Sequence, residues 1–162
     1  MEEYQAKGKW KFKIKVKNYN LTPQEKNDYC VCSVLQAIFR SHGLKLTQEQ
    51  IALGLTPSEN GFYIGDPRMK KFLGSNNFDY TYFGYNSTPF NEPDMLLNDM
   101  NMSSSHGIIG VNSHAFLLTD FKDPELKLLD PENGIILIRN LHEILEDMKK
   151  GNGLFGLVKH IQ

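Results

Sequence analysis

The chain reads as an α+β domain in which an N-terminal helical part, carrying a candidate nucleophile helix, packs on a C-terminal antiparallel sheet. Three observations predict this. Apolar residues recur at helical spacing in the first half, at 30–42, 47–53 and 67–73. Short apolar runs of strand length take over from Ile108 onward. Between them lie tight turns, Lys122-Asp123-Pro124-Glu125 and Asp130-Pro131-Glu132-Asn133-Gly134, that send the chain back on itself.

Taken in order, Trp10 to Val16 reads W-K-F-K-I-K-V. Strict alternation is the period of a half-buried strand, and lysine on the open face discourages strand-on-strand association. Such a strand either closes the sheet or pairs with another chain. Asn18 to Asp28 is polar, contains Pro23 and reads as a loop. Cys30 to His42 is a helix with Val31, Val34, Leu35, Ile38 and Phe39 on one face, ended by Gly43. Thr47, with Gln50 three residues on, forms a capping-box signal for a second helix. A third helix is expected over Pro67 to Leu73, and a strand over Phe78 to Tyr85. Its aromatic stretch Phe78 to Phe83 reads as a buried strand rather than a substrate groove. Pro89 to Pro93 breaks the chain, and Asp94 to Met100 reads as a fourth helix.

Strands are then expected at Ile108 to Val111, His114 to Phe121, Leu126 to Leu129 and Ile135 to Arg139. A helix over Leu141 to Lys150, the step Gly151-Asn152-Gly153 and a last strand near Leu154 to Lys159 complete the pattern. There is no internal repeat or low-complexity segment.

A length of 162 residues suits one domain, able to bury its own core without a metal or disulfide staple. The formal net charge of −1 gives no electrostatic support to a nucleic-acid or membrane-surface role. No apolar stretch approaches the roughly 20 residues that span a bilayer. Met1-Glu2-Glu3-Tyr4 lacks a basic-then-apolar signal pattern, so the chain reads as cytoplasmic, or as exported without a cleaved signal. The two cysteines, Cys30 and Cys32, stand too close in sequence for an easy disulfide and are too few for a zinc site. They fit a reducing compartment and one functional thiol.

Four residues match, in type and order, the parts of a thiol-nucleophile site: Gln24, Cys30, His114 and Asp130. A thiol needs a base, the base needs an orienting acceptor, and a developing oxyanion needs donors. Cys30 opens a helix, where unpaired amides and the dipole favour the thiolate. A free cysteine in an apolar run is ordinarily a small buried hydrophobe, so the reading rests on the four together. Cys32 is the rival nucleophile. It is rotated by about 200° on the helix and is expected to face packing. His114 opens a strand, and Asp130 ends the next one, which returns toward it. Asp120, six residues along the strand from His114, is too far. His106, after Ser103-Ser104-Ser105, is the second choice of base and is expected in a loop. His42, at a helix end, reads as a structural cation, while His142 and His160 read as surface residues. The Gln24 carboxamide could join the Cys30 amide in an oxyanion site.

Gln24-x5-Cys30, followed by Gly43 and Leu46-Thr47-x2-Gln50, resembles the opening of the bacteriocin-processing (double-glycine leader) peptidase family of papain-like cysteine peptidases. His114-Ala115-Phe116-Leu117-Leu118-Thr119-Asp120 resembles its histidine strand, and Leu128-Leu129-Asp130-Pro131-x2-Gly134 its Asp-Pro turn. The end, Leu141 to Val158, is also similar. The likeness covers about Thr22 to Val158. It implies a papain-like core over 22–158; 1–20, whose lysine-rich strand has no counterpart in the family, is read as a strand extension of the one domain over 1–162. The family's nucleophile then falls on Cys30, its oxyanion glutamine on Gln24, its base on His114 and its acid on Asp130. Two departures stand out. Tyr29 and Val31 flank the cysteine where the family has an acid and a glycine, with Asp28 one place early, and Val31 should narrow the cleft. The transporter domains that often follow such a peptidase are not in this sequence, which implies a stand-alone relative.

Three functions are compatible with this pattern. The first is a cysteine peptidase acting on a peptide or protein through a Cys-His-Asp triad, without metal or organic cofactor. The second is a thiol-dependent amide hydrolase, such as a glutamine deamidase acting as an effector or toxin. The third is a catalytically silent peptide-binding module. Substrate, pathway and oligomeric state are left open.

Overall fold

The computed structural model describes residues 13–14, 17–55, 62, 64–84, 104–122 and 124–161. The break at Pro89 to Pro93 and the helix expected at Asp94 to Met100 lie outside the described residues.

Helix α1 (Cys30–Ser41) is buried continuously from Cys30 to Phe39. Val34, Leu35, Ala37, Ile38 and Phe39 are fully enclosed. Each large aliphatic or aromatic side chain among them contributes roughly 1.5–3 kcal/mol on leaving water, so the helix that carries Cys30 is firmly seated. After its last turn, Gly43 takes the expected left-handed conformation, at φ +81°. Helix α2 (Gln48–Leu55) starts with the capping box read from the sequence. The Gln50 amide donates to Thr47 Oγ1 at 3.0 Å, and the Thr47 amide donates to Gln50 Oε1 at 2.9 Å. Helix α3 (Pro67–Ser75) is capped by Asp66, which accepts from the Arg68 amide at 2.9 Å.

The strands are β1 (Lys13–Ile14), β2 (Phe78–Gly84), β3 (Ser105–Val111), β4 (His114–Lys122), β5 (Glu125–Leu129), β6 (Ile136–Asn140) and β7 (Leu154–His160), with helix α4 (Leu141–Gly151) between the last two. They form one sheet in the order β2-β7-β3-β4-β5-β6, and β1 adds to β4. Every pairing is antiparallel. The N-terminal strand thus closes on its own chain: Lys13 pairs with Lys122 and Ile14 with Phe121, and the Lys17 amide donates to Thr119 O at 2.9 Å.

Two cores sandwich the sheet. One gathers α1, α2 and α3 over Phe78, Tyr80, Ile108, Leu117 and Val158. The other packs Leu141, Ile144 and Met148 of α4 against Ile109, Leu118, Phe121, Leu128 and Phe155. Ile108 and Ile109 point to opposite cores, as strand alternation requires. The helix after β6 therefore covers the face opposite the nucleophile helix. No helix among the described residues is long and apolar enough to cross a membrane.

One element differs in a way that matters for the site. Strand β3 begins at Ser105, three residues before the expected start, so His106 lies in a strand and not in a loop. Pairing with β7, His106 opposite Val158, satisfies the backbone that serine-rich composition had suggested was solvated.

Candidate active site

Cys30 occupies the first position of α1. Tyr29, at the N-cap, makes no side-chain cap, so capping does not consume the first-turn amides. His114 follows a two-residue turn that joins β3 to β4. Both turn residues, Asn112 (φ 51°) and Ser113 (φ 63°), are left-handed, the geometry that suits a tight hairpin. Asp130 lies just past the end of β5. Because β5 runs antiparallel to β4, with Leu129 opposite Leu117, it returns Asp130 to the head of β4.

The result is a linear arrangement. His114 Nε2 and Asp130 Oδ1 are 2.7 Å apart. Nε2 being engaged, Nδ1 is the ring nitrogen left for the interaction with Cys30. That interaction is the largest influence raising the imidazole to about 9; burial opposes it and the Asp130 hydrogen bond adds to it. Asp130 is 7% exposed and held through Oδ1 and its backbone: Oδ1 also accepts the Glu132 amide at 2.9 Å, its own amide donates to Ile135 O, and its carbonyl accepts from Gly134. Phe116 meets the His114 ring edge-on at a centroid distance of 4.7 Å.

Cys32 is fully buried, and burial first, then Cys30, pushes its thiol up to about 12. It packs in the core, as its rotation on the helix predicts.

Gln24 sits in the preceding loop with its amide donating to Pro131 O at 2.7 Å. Its side-chain Nε2 donates to Lys26 O (3.2 Å) and Asn27 O (2.9 Å), while Oε1 is buried without a partner among the described residues. The carboxamide protons are thus turned onto the loop's own carbonyls.

A cavity of about 510 Å³ opens over Cys30 and His114. Val31, Phe62 and Ile64 form an apolar side, with Asp66 at its margin. Asn112, Ser113 and the step Gly151-Asn152-Gly153 also line it. Val31 lines the cavity beside the thiol, where the sequence placed it. Gly153 lets the step approach β3 closely: a Cβ there would sit 2.6 Å from Met148 Cγ and 2.8 Å from Gly110 O. This lining was not read from the sequence. The signals were Asn-Ser directly before His114 and Gly-Asn-Gly directly before β7.

The other histidines are elsewhere. His106, 3% exposed, is hydrogen-bonded through Nδ1 to the Tyr19 hydroxyl (2.7 Å) and through Nε2 to His42 Nε2 (2.7 Å). His42 also stacks on His160 at 4.4 Å. Burial, helped by Lys17, His42 and His160, lowers His106 to about 3. His42 is lowered too, mainly by burial. It is therefore a neutral partner in a buried network and not the helix-end cation expected, because its ring turns inward to His106. His160 belongs to the same cluster rather than to an open surface.

A buried helix opening on cysteine, a strand opening on histidine and an acid at the end of the next strand make up the papain-like α+β fold. Solved structures agree. The chain is similar to a double-glycine-motif protease from an AMS/PCAT transporter, solved with its leader peptide (TM-score 0.68, 17% identity, covering 90% of this chain and 94% of that one). It is similar to the peptidase domain of Streptococcus ComA, a bi-functional ABC transporter of a quorum-sensing pathway (0.67, 14%, 90% and 100%). It also resembles a C39-like peptidase from Bacillus anthracis (0.68, 11%, 93% and 100%). No protein-family model and no curated protein matches the sequence. At these identities the likeness establishes the fold that the sequence motifs had implied.

Proposed function

We propose that the protein is a cysteine peptidase that hydrolyses a peptide bond through Cys30, His114 and Asp130. The observation that carries this is His114, hydrogen-bonded to the buried Asp130 carboxylate at 2.7 Å, sharing one cavity with Cys30 at the first position of its helix. The peptidase unit spans the core 22–158, with 1–20 as its strand extension. A peptide substrate accords with the cavity, open to one side and lined by backbone-rich glycine and asparagine positions, and with the leader peptide bound by one structural neighbour.

His114 accepts the thiol proton at Nδ1. The sulfur attacks the scissile carbonyl carbon, and the carbonyl π pair moves onto oxygen. The uncapped Cys30 amide donates to that oxyanion. As the C–N bond breaks, His114 returns its proton to the leaving amine, and an acyl thioester remains. Water, deprotonated by His114, attacks the thioester; the C–S bond breaks and the thiol is regenerated. Asp130 keeps the imidazole oriented throughout. Gln24 serves as the second oxyanion donor after its carboxamide turns away from the Lys26 and Asn27 carbonyls. Nothing in this sequence of steps calls for a metal or organic cofactor.

The test is Cys30→Ala assayed against a peptide library, with circular dichroism to verify folding. Cleavage by the native chain that vanishes in a folded variant is the expected result. Wild-type turnover by the variant would rule the assignment out.

A further inference from the structure

We propose that His114, Asp130 and Glu132 form a binding site for a zinc-like divalent cation, and that metal bound there holds the thiol centre inactive. The site stands on geometry; the inhibitory consequence rests on the peptidase reading.

One ligand atom from each of the three residues can be chosen so that all lie within 4.8 Å of one another. An imidazole nitrogen with two carboxylate oxygens is a donor set that zinc accepts, with water completing four-coordination. The turn places them. The Glu132 amide donates to Asp130 Oδ1 at 2.9 Å and Gly134 N donates to Asp130 O at 2.8 Å, which folds Glu132 back beside the triad acid. Both hydrogen bonds to the Asp130 carboxylate fall on Oδ1, so among the described residues Oδ2 keeps its lone pairs. The charge balance points the same way. Among the described residues, the ion pairs of basic groups go to Asp66, Asp120, Asp130 and Asp147, and none to Glu132. Two carboxylates therefore flank a single ionisable ring, on the outer side of the dyad and away from the thiol.

The exchange balances simply. The doubly protonated ring loses its Nε2 proton to solvent and keeps the one on Nδ1, and three bonds form, from the metal to Nε2 and to one oxygen of each carboxylate. Two ligands on tetrahedral zinc sit about 3.3 Å apart, so the 2.7 Å His114–Asp130 contact must widen by about half an ångström. A neutral ring bound through Nε2 carries its remaining proton on Nδ1, so Nδ1 has no lone pair with which to take the thiol proton or, later, to activate water. Asp130 is at the same time withdrawn from orienting the ring. This mode differs from a metal seated in the cavity between Cys30 and Nδ1, which would need the sulfur.

The experiment separates the two. Zinc is titrated against a chromophoric chelator with the full chain carrying Cys30→Ala, and then with Cys30→Ala/Glu132→Gln. One equivalent bound by the first and at least about ten-fold weaker binding by the second is expected, since even outer-shell changes cost 10–100-fold. Glu132→Gln alone should keep zinc-free turnover and need correspondingly more zinc for half-inhibition. Loss of binding in Cys30→Ala, with Glu132→Gln unaffected, would place the metal on the thiol and overturn the proposal. So would the absence of stoichiometric binding. The chelator titration needs no turnover, so the site is decided even if no peptide is ever cleaved.

Discussion

Acid should weaken this fold through His106, and the structure sets the size of the effect. The ring is enclosed by Tyr19, His42 and β-sheet neighbours, and its value falls from 6.5 to about 3. The unfolded chain therefore binds a proton that the folded chain refuses throughout that interval. A lowered histidine leaves stability intact above the unfolded value and erodes it as pH falls toward the folded one. For one group shifted this far, the loss relative to pH 7 is about 2 kcal/mol at pH 5 and about 3 kcal/mol at pH 4, and it levels off below pH 3. His42 is lowered as well and adds in the same direction. The charged groups acting on His106 are Lys17, His42 and His160, none of which offsets a new positive charge. The assay is urea unfolding from pH 7 to pH 4 for the native chain and for His106→Gln, whose amide can still meet Tyr19 and His42. The variant should start less stable at pH 7 and have a flatter profile, by about 1.4 kcal/mol per pH unit between pH 6 and 4. Parallel profiles would refute the reasoning, because the acid sensitivity would then lie in other groups.

Other expected outcomes concern the active site. Asp130→Asn should keep the fold but lower kcat by about 10²–10⁴, the range that a positioned acid–base pair contributes, read from progress curves on any substrate found. His114, raised to about 9, holds its proton through neutral pH and gives it up above that value. Labelling of Cys30 by iodoacetamide at pH 7, located by mass mapping, should slow in His114→Ala; an unchanged rate would show that the thiol does not depend on the ring. Gly153→Ala places a Cβ 2.6 Å from Met148 Cγ and 2.8 Å from Gly110 O. It should cost about 1–3 kcal/mol in thermal or urea unfolding and raise KM, because the step it distorts lines the cavity that holds the thiol.

The triad candidates were legible because each carries a backbone signal. Cys30 begins an apolar helix, His114 begins a strand and Asp130 ends the strand that returns beside it, so chain order and antiparallel pairing imply proximity. The second helix was equally plain, since Thr47 and Gln50 cap each other locally. The misreadings share the opposite property. His106 lies in β3 because of pairing with β7, some fifty residues away in sequence. His42 is neutral because of a ring brought by β3, not because of its own helix. The cavity wall at Asn152 comes from the step between α4 and β7, and no local pattern says that this step lines the cavity that holds the thiol. Side-chain direction is also silent in sequence. Gln24 was placed in the correct loop, but nothing there revealed that its carboxamide turns onto Lys26 and Asn27.

If Gln24 is an oxyanion donor, as proposed, that orientation makes the loop before Cys30 a place where rate can be tested. The loop is clamped from two sides. Gln24 N reaches Pro131 O at 2.7 Å and so ties it to the Asp130 turn. Opposite, Gln48, fully buried, donates from Nε2 to Thr22 O, Pro23 O and Gln36 Oε1 at 3.0–3.1 Å and accepts from Glu25 N at 2.9 Å. With both backbone ends held, a turn of the Gln24 carboxamide toward an oxyanion, as proposed, would have to come from its side chain. Gln48→Leu keeps the volume and removes the inner clamp, leaving Pro23 O and the Glu25 amide without this partner while Thr22 O keeps the Ser33 hydroxyl, at a cost of about 1–3 kcal/mol. If the clamp serves catalysis, kcat should fall as well, with KM little changed and cysteine labelling still fast, because Cys30 and His114 are untouched. A variant that loses the stability but keeps kcat would show that the loop needs no fixed backbone, and would leave the Cys30 amide as the principal oxyanion donor.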